Sequence, residues 1–172
     1  MEAVLYVAHG TRVQKGIDEA VRFIEAVKQT VAAPIQEICF LELAAPSIVE
    51  GVERCVTQGA THIAVVPILL LTANHAKEDI PEELHKAQQL FPTVRFTVGA
   101  PFGIHEKLID SLVDRLAPHA VEQHARIYLI GRGSSDPTPK QDLSRIASLL
   151  SERIQRPVDV CFLYGVGPTF EE

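Results

Sequence analysis

Three residues of the kinds that bind metal ions are spaced evenly along the chain, each shortly after an apolar segment. They are His9, Glu42 and His75. Two imidazoles and one carboxylate suit a borderline divalent ion such as Fe²⁺, Co²⁺, Ni²⁺ or Zn²⁺. Three protein ligands also leave coordination positions open, as a site that transfers or activates a metal requires. The residue types therefore predict a metal site with room for a second molecule.

Each of these residues also has an ordinary explanation. A histidine after a strand is often a hydrogen-bonded loop residue, Glu42 could be a solvated carboxylate near a helix start, and His75 could cap the following helix. The coincidence of three such residues at one edge of a sheet favours the metal site. The remaining histidines are expected at the amino end of the sheet, on a helix surface, at a helix start or in a polar link; they are His62, His85, His105, His119 and His124.

The elements that must position the three residues are short strands alternating with helices. Apolar runs at residues 4–8, 35–41, 63–71 and 94–98 predict strands, and the intervening segments carry apolar residues at steps of three and four. This alternation predicts a parallel α/β sheet with helices on both faces and right-handed crossovers. In such a sheet ligands bind beyond the carboxyl ends of the strands, where all three residues would lie.

Two details of the helices are also predicted. Ser47 and Glu50 form a capping-box pattern at the start of the second helix. The third helix should begin near Asp79 and bury a face that includes Leu84, Ala87 and Leu90.

An internal repeat follows the first sheet. Residues 7–11 align with residues 130–134, the helices that follow align as well, and residues 39–41 align with 161–163. Arg132 takes the place of His9, and Tyr164 takes the place of Glu42. We therefore predict a complete first domain at residues 1–121 and the beginning of a second, pseudo-symmetric domain at 125–172. A domain of usual size would need roughly 70 to 90 further residues, so a truncated chain is expected.

Composition narrows the class of function. The net charge of −6 and the lack of a Lys/Arg cluster argue against nucleic acid as a partner. No apolar run reaches the roughly 18 residues of a membrane helix, and the N-terminus lacks signal-peptide features, so a cytoplasmic protein is expected. The three cysteines are expected to be reduced core residues. No glycine-rich nucleotide-binding motif follows the first strand.

Four segments resemble a known family. "VAHGT", "FLELAAPSI", "VVPILLLTANHAKEDIP" and "LIGRGSSDP" are similar to the sirohydrochlorin ferrochelatases of siroheme synthesis, which are class II chelatases, and to the related cobalt chelatases of anaerobic cobalamin synthesis. The resemblance implies two similar flavodoxin-like, chelatase-like domains. A two-domain protein would be a monomer, whereas a truncated form could pair as a homodimer.

The resemblance also implies an activity. The enzyme would insert Fe²⁺, or alternatively Co²⁺ or Ni²⁺, into the tetrapyrrole sirohydrochlorin, with the metal as substrate and no organic cofactor. His9 and His75 would bind the metal and accept pyrrole protons, and Glu42 would complete the site. Weaker candidates for substrate contact are Gly10, Arg12, Asn74, Lys77 and Arg132. The alternatives are a cobalt chelatase and a carrier of tetrapyrrole or metal without turnover. A histidine phosphatase is disfavoured because Ala8 stands where its phosphate-binding arginine is needed.

Overall fold

The computed structural model describes residues 1–71, 78–119, 125–133, 137–165 and 168–169. The chain forms two compact units, Met1–Phe102 and Gly103–Glu172. Among the described residues, no helix has the length and apolarity needed to cross a membrane.

The first unit contains the predicted parallel sheet. Its strands are β1 (Glu2–Ala8), β2 (Ile35–Phe40), β3 (His62–Ile68) and β4 (Arg95–Val98). They lie in the order β2-β1-β3-β4, and every neighbouring pair is parallel. The predicted α/β class is therefore confirmed. Strand β3 ends at Ile68 rather than at residue 71, because pairing with β1 stops where β1 itself ends.

Three helices cover this sheet: α1 (Gln14–Lys28), α2 (Ile48–Thr57) and α3 (Ile80–Leu90). One face of the sheet, with Leu5 and Val7, packs in a core that includes residues of α2 and α3. The opposite face, with Tyr6, packs in a second core that includes residues of α1. Buried side chains on both faces fix the direction and register of the strands, which in turn place their carboxyl ends at one edge.

The predicted helix details are confirmed with one exception. Ser47 caps α2, and Glu50 completes the capping box. Leu90 was expected in the core, but it is 63% exposed. It is the last residue of α3, and the next residue, Phe91, packs against the core instead. Phe91 lies four positions after Ala87, on the face that the helix already buries.

The second unit begins with α4 (Glu106–Leu116) and a short 3₁₀ turn (Ala117–His119), followed by β5 (Ile127–Gly131), α5 (Thr138–Ile154) and β6 (Val158–Phe162). Strands β5 and β6 form a parallel pair. Helix α4, which the sequence prediction placed in the first domain, packs against α5 in this unit. The domain boundary near residue 121 stays a prediction.

Candidate functional site

His9 and Glu42 are held together by the backbone beyond the carboxyl ends of β1 and β2. The parallel ladder continues past the strands: the Leu41 amide donates to the Ala8 carbonyl (2.9 Å), and the Glu42 amide donates to the His9 carbonyl (3.0 Å). These bonds fix the relative position of the two residues independently of their side chains. The topological prediction that both lie at one edge of the sheet therefore holds in the structure.

Gly10 makes this close approach possible. Its φ is +93°, a left-handed conformation that glycine adopts readily. A Cβ at this position would lie 1.8 Å from the Glu42 carbonyl oxygen. The backbone of Glu42 is thus in direct contact with Gly10, and a residue with a side chain at this position would displace it.

The two side chains face each other at a distance suited to a shared ligand. His9 Nε2 lies 3.6 Å from Glu42 Oε1, and the side chains are 37% and 46% exposed. His9 Nδ1 lies 3.1 Å from the Gly10 carbonyl oxygen. A carbonyl can only accept a hydrogen bond, so this contact favours a proton on Nδ1 and leaves the Nε2 lone pair directed toward Glu42.

This arrangement can coordinate a divalent cation. Metal bonds of roughly 2.0–2.2 Å place neighbouring donor atoms roughly 3–3.5 Å apart, close to the separation of Nε2 and Oε1. Imidazole nitrogen with carboxylate oxygen is a donor set for borderline ions. Partial exposure leaves room for water or a second molecule on the metal.

Several predicted site residues fall outside the described residues. These are His75, Asn74 and Lys77. Within the described part of the chain, no group of three His, Cys, Asp or Glu side chains could hold a metal ion. Arg12 lies exposed in the loop between β1 and α1.

An acidic cavity beside Glu42 was not predicted. It has a volume of about 280 Å³ and is lined by Leu41, Glu42, Asp79, Glu82 and Glu83. The sequence feature that corresponds to it is the pair of acidic residues in the first turn of α3, a place where the helix dipole also favours negative charge. Helix α3 lies near Glu42 because it packs against α2. The spacing of residues in the sequence does not predict that packing. Lys86 pairs with Glu82 (3.0 Å) and Glu83 (2.7 Å) and offsets part of the negative charge.

The second unit reproduces this backbone arrangement with different side chains. Gly133 has φ +97°, and a Cβ there would lie 1.8 Å from the Tyr164 carbonyl oxygen. The Tyr164 amide donates to the Arg132 carbonyl (3.3 Å). The Arg132 guanidinium lies 5.7 Å from the centre of the Tyr164 ring, within cation–π range. The predicted repeat is thus present in three dimensions, with a cation and an aromatic ring in the places of His9 and Glu42.

Two of the other described histidines, His62 and His105, have local roles. His62 contacts Thr97 (2.8 Å) and Glu2 (3.7 Å) at the amino end of the sheet. His105 accepts a hydrogen bond from the Lys107 amide at the start of α4. Both positions agree with the expectation that they lie at the opposite edge of the sheet or at a helix start.

Comparison with known proteins gives a consistent result. A family model described as CbiX matches residues 3–119 and 126–172. The chain is 50% identical over 175 residues to a sirohydrochlorin ferrochelatase of Priestia megaterium, covering 100% of this chain and 66% of that protein.

Two solved structures are also similar. One is SirB from Bacillus subtilis with Fe³⁺, with a TM-score of 0.93 and 49% identity, covering 99% of this chain and 68% of that one. The other is the sirohydrochlorin chelatase SirB from Bacillus subtilis subspecies spizizenii in complex with cobalt. Its TM-score is 0.86 with 50% identity, covering 93% of this chain and 66% of that one. The chain therefore spans about two thirds of the length of these relatives.

Proposed function

Because the chain belongs to the CbiX family, we propose that it is a metal chelatase that inserts Fe²⁺ into sirohydrochlorin, the last step of siroheme synthesis. The observation that carries the proposal is the pair formed by His9 Nε2 and the Glu42 carboxylate, 3.6 Å apart at the carboxyl edge of the sheet. Relatives named sirohydrochlorin ferrochelatase support the choice of substrate. The metal is a substrate of the reaction, and no organic cofactor is needed.

The reaction requires removal of water from the metal, transfer to four ring nitrogens and loss of two pyrrole N–H protons for each divalent ion inserted. His9 would bind the metal through Nε2, since Nδ1 is engaged by the Gly10 carbonyl. His75 would supply a second imidazole, and Glu42 would complete the ligand set. Histidines released from the metal can accept the pyrrole protons, because a positioned imidazole is the commonest general base in enzymes.

Glu42 contributes charge as well as a ligand. A carboxylate partly offsets the charge of the dication and strengthens its binding without enclosing it, because both side chains are partly exposed. A chelatase needs such moderate binding, since the ion must leave the protein ligands for the ring nitrogens. The substrate carboxylates would be held by basic groups, for which Arg12, Lys77 and Arg132 remain candidates together with contacts from Gly10 and Asn74.

Cobalt is the alternative metal. The ligand set suits Fe²⁺ and Co²⁺ alike, and similar structures contain iron in one case and cobalt in the other. A cobalt chelatase of cobalamin synthesis is accordingly the second candidate. A cytoplasmic location and the oligomeric state, monomer or homodimer, stay predictions from the sequence.

The proposal is tested by anaerobic insertion of Fe²⁺ and Co²⁺ into sirohydrochlorin, followed by absorbance. We expect the chain to exceed the spontaneous rate and His9→Ala to lose roughly a hundredfold or more of that rate, as removal of a positioned acid–base group does. His62→Ala is the matched control, because His62 lies at the amino end of the same sheet.

Two outcomes would count against the proposal. Stoichiometric binding of metal and pigment without accelerated insertion would favour a carrier. Equal rates for His9→Ala and the unmodified chain would show that His9 has no part in the reaction.

A further inference from the structure

Leu43, the residue after Glu42, combines two features that are each unfavourable for a leucine. Its φ is +61°, in the left-handed region that side chains with a Cβ rarely adopt. Its side chain is also 49% exposed, so packing in the core does not offset the strain. Strain of this kind persists only where the surroundings enforce it, and it occurs preferentially at functional sites.

The internal repeat shows that the backbone, and not the leucine, demands this conformation. The position equivalent to Leu43 in the second unit is Gly165, which has φ +91°. Both residues follow a strand that is held by the same contacts: Gly10 supports the carbonyl of Glu42, and Gly133 supports that of Tyr164. The second copy thus satisfies the left-handed turn with glycine, the residue that fits it without strain.

The leucine side chain is therefore a feature of the copy that carries His9 and Glu42. Its exposed apolar side chain, one residue after Glu42, is available for contact with a ligand that has an apolar surface. A tetrapyrrole has this chemistry: its conjugated ring is flat and apolar on both faces, and its charged groups lie at the periphery. The net charge of −6 disfavours a polyanionic substrate at long range, so short-range apolar contact with the ring adds binding that the overall charge does not supply.

We propose that the Leu43 side chain contacts the face of the tetrapyrrole ring and positions it at the His9–Glu42 pair. Leu43 is then a substrate-binding residue in addition to the predicted site residues. This inference rests on the proposed function, since it names how the same substrate is held.

The test uses four variants of the 172-residue chain and the affinity for metal-free sirohydrochlorin, measured anaerobically by absorbance. Leu43→Gly copies the second unit and removes both side chain and strain. Leu43→Asn keeps a residue that tolerates the left-handed conformation but removes the apolar group. Leu43→Met keeps an apolar side chain of similar volume. Gln155→Gly is the control, because Gln155 is left-handed as well (φ +55°) but ends helix α5.

We expect Leu43→Gly and Leu43→Asn to raise the Kd for sirohydrochlorin roughly tenfold, because each removes an apolar side chain that the bound ligand would bury. The Kd values of Leu43→Met and Gln155→Gly should stay within about twofold of that of the unmodified chain, which corresponds to a small difference in binding free energy. The Tm of Leu43→Gly should not fall, because the variant relieves backbone strain. Weaker binding with undiminished stability distinguishes a contact with the ligand from a structural role.

Two results would overturn the inference, and they differ from each other. If the unmodified chain binds and metallates sirohydrochlorin but Leu43→Gly binds it equally well, Leu43 makes no contact and the proposed function stands. If the unmodified chain binds no sirohydrochlorin, the proposed function fails and the role of Leu43 fails with it.

Discussion

Replacing Gly10 by alanine should destabilise the first unit and displace the backbone that carries Glu42. The added Cβ would lie 1.8 Å from the Glu42 carbonyl oxygen, and 3.0 Å from its carbonyl carbon. Both atoms belong to the backbone, so no side-chain rotation can relieve the contact. The chain must open between β1 and β2 at the site itself.

The expected cost follows from three contributions. A left-handed alanine costs about 1–2 kcal/mol relative to a relaxed residue. Weakening the hydrogen bond from the Glu42 amide to the His9 carbonyl adds about 0.5–1.5 kcal/mol. The backbone shift that relieves the overlap with the Glu42 carbonyl adds a further cost. The lower conformational entropy of the unfolded alanine variant offsets about 0.4–1 kcal/mol of the total. The free energy of unfolding should fall by about 2–4 kcal/mol, which corresponds to a decrease in Tm of roughly 10–30 °C for a unit of this size.

The assay is urea unfolding followed by circular dichroism, with Gly133→Ala as the matched variant. Gly133 has nearly the same φ and the same 1.8 Å approach to a carbonyl oxygen, that of Tyr164. Both substitutions should therefore lower the stability of their own unit by similar amounts. Gly10→Ala should also slow metal insertion at temperatures where it remains folded, because Glu42 is displaced.

One result would refute this reasoning. If Gly10→Ala unfolds at the same urea concentration as the unmodified chain, the close contact between Gly10 and Glu42 does not exist in solution. The geometry deduced for the His9–Glu42 pair would then be wrong as well.

Three further predictions concern α2 and the thiols. Ser47→Ala should lower the free energy of unfolding by about 1 kcal/mol, measured by urea unfolding, because the hydroxyl caps the Glu50 amide. Hydrogen bonds from the Ser47 backbone and side chain lower the pKa of Glu50 below its ordinary value. These hydrogen bonds therefore stabilise the folded chain at pH values above the pKa that Glu50 has in the unfolded chain, and the stabilisation is lost as the pH falls through the lower pKa that Glu50 has in the folded chain. A series of Tm measurements against pH should show this loss in the unmodified chain and not in Glu50→Gln. Burial raises the pKa of Cys39, and raises that of Cys55 to about 12, so neither thiol should react with a disulfide reagent at pH 8 until denaturant is added. Rapid reaction in the native state would contradict their burial.

Much of the fold could be predicted because local and global signals agree. The four strands of the first sheet alternate with helices of clear apolar periodicity, and the capping box marks the start of α2. Strand direction alone then brought His9 and Glu42 to one edge, since parallel strands present their carboxyl ends together. The repeat was visible because both copies need glycine at the same left-handed position, Gly10 and Gly133.

Other features depend on packing that one-dimensional patterns do not contain. Leu90 follows Ala87 by three positions and Phe91 follows it by four, so apolar spacing alone does not decide which of them the core receives; the structure exposes Leu90 and packs Phe91 against the core. The acidic cavity requires α3 to approach Glu42 from a distant part of the sequence. Leu43 showed no unusual pattern, because a leucine after a strand is ordinary until its φ is known.

The central claim is that His9 and Glu42 act as one metal-transferring site. It is tested most directly by a double-mutant cycle on the initial rate of Fe²⁺ insertion into sirohydrochlorin, with His9→Ala, Glu42→Gln and the double variant. If both side chains hold the same ion, each single variant should be slow, and the double variant should be little slower than the slower single one. If the two losses multiply as for independent residues, His9 and Glu42 do not share a metal, and the proposed site is wrong.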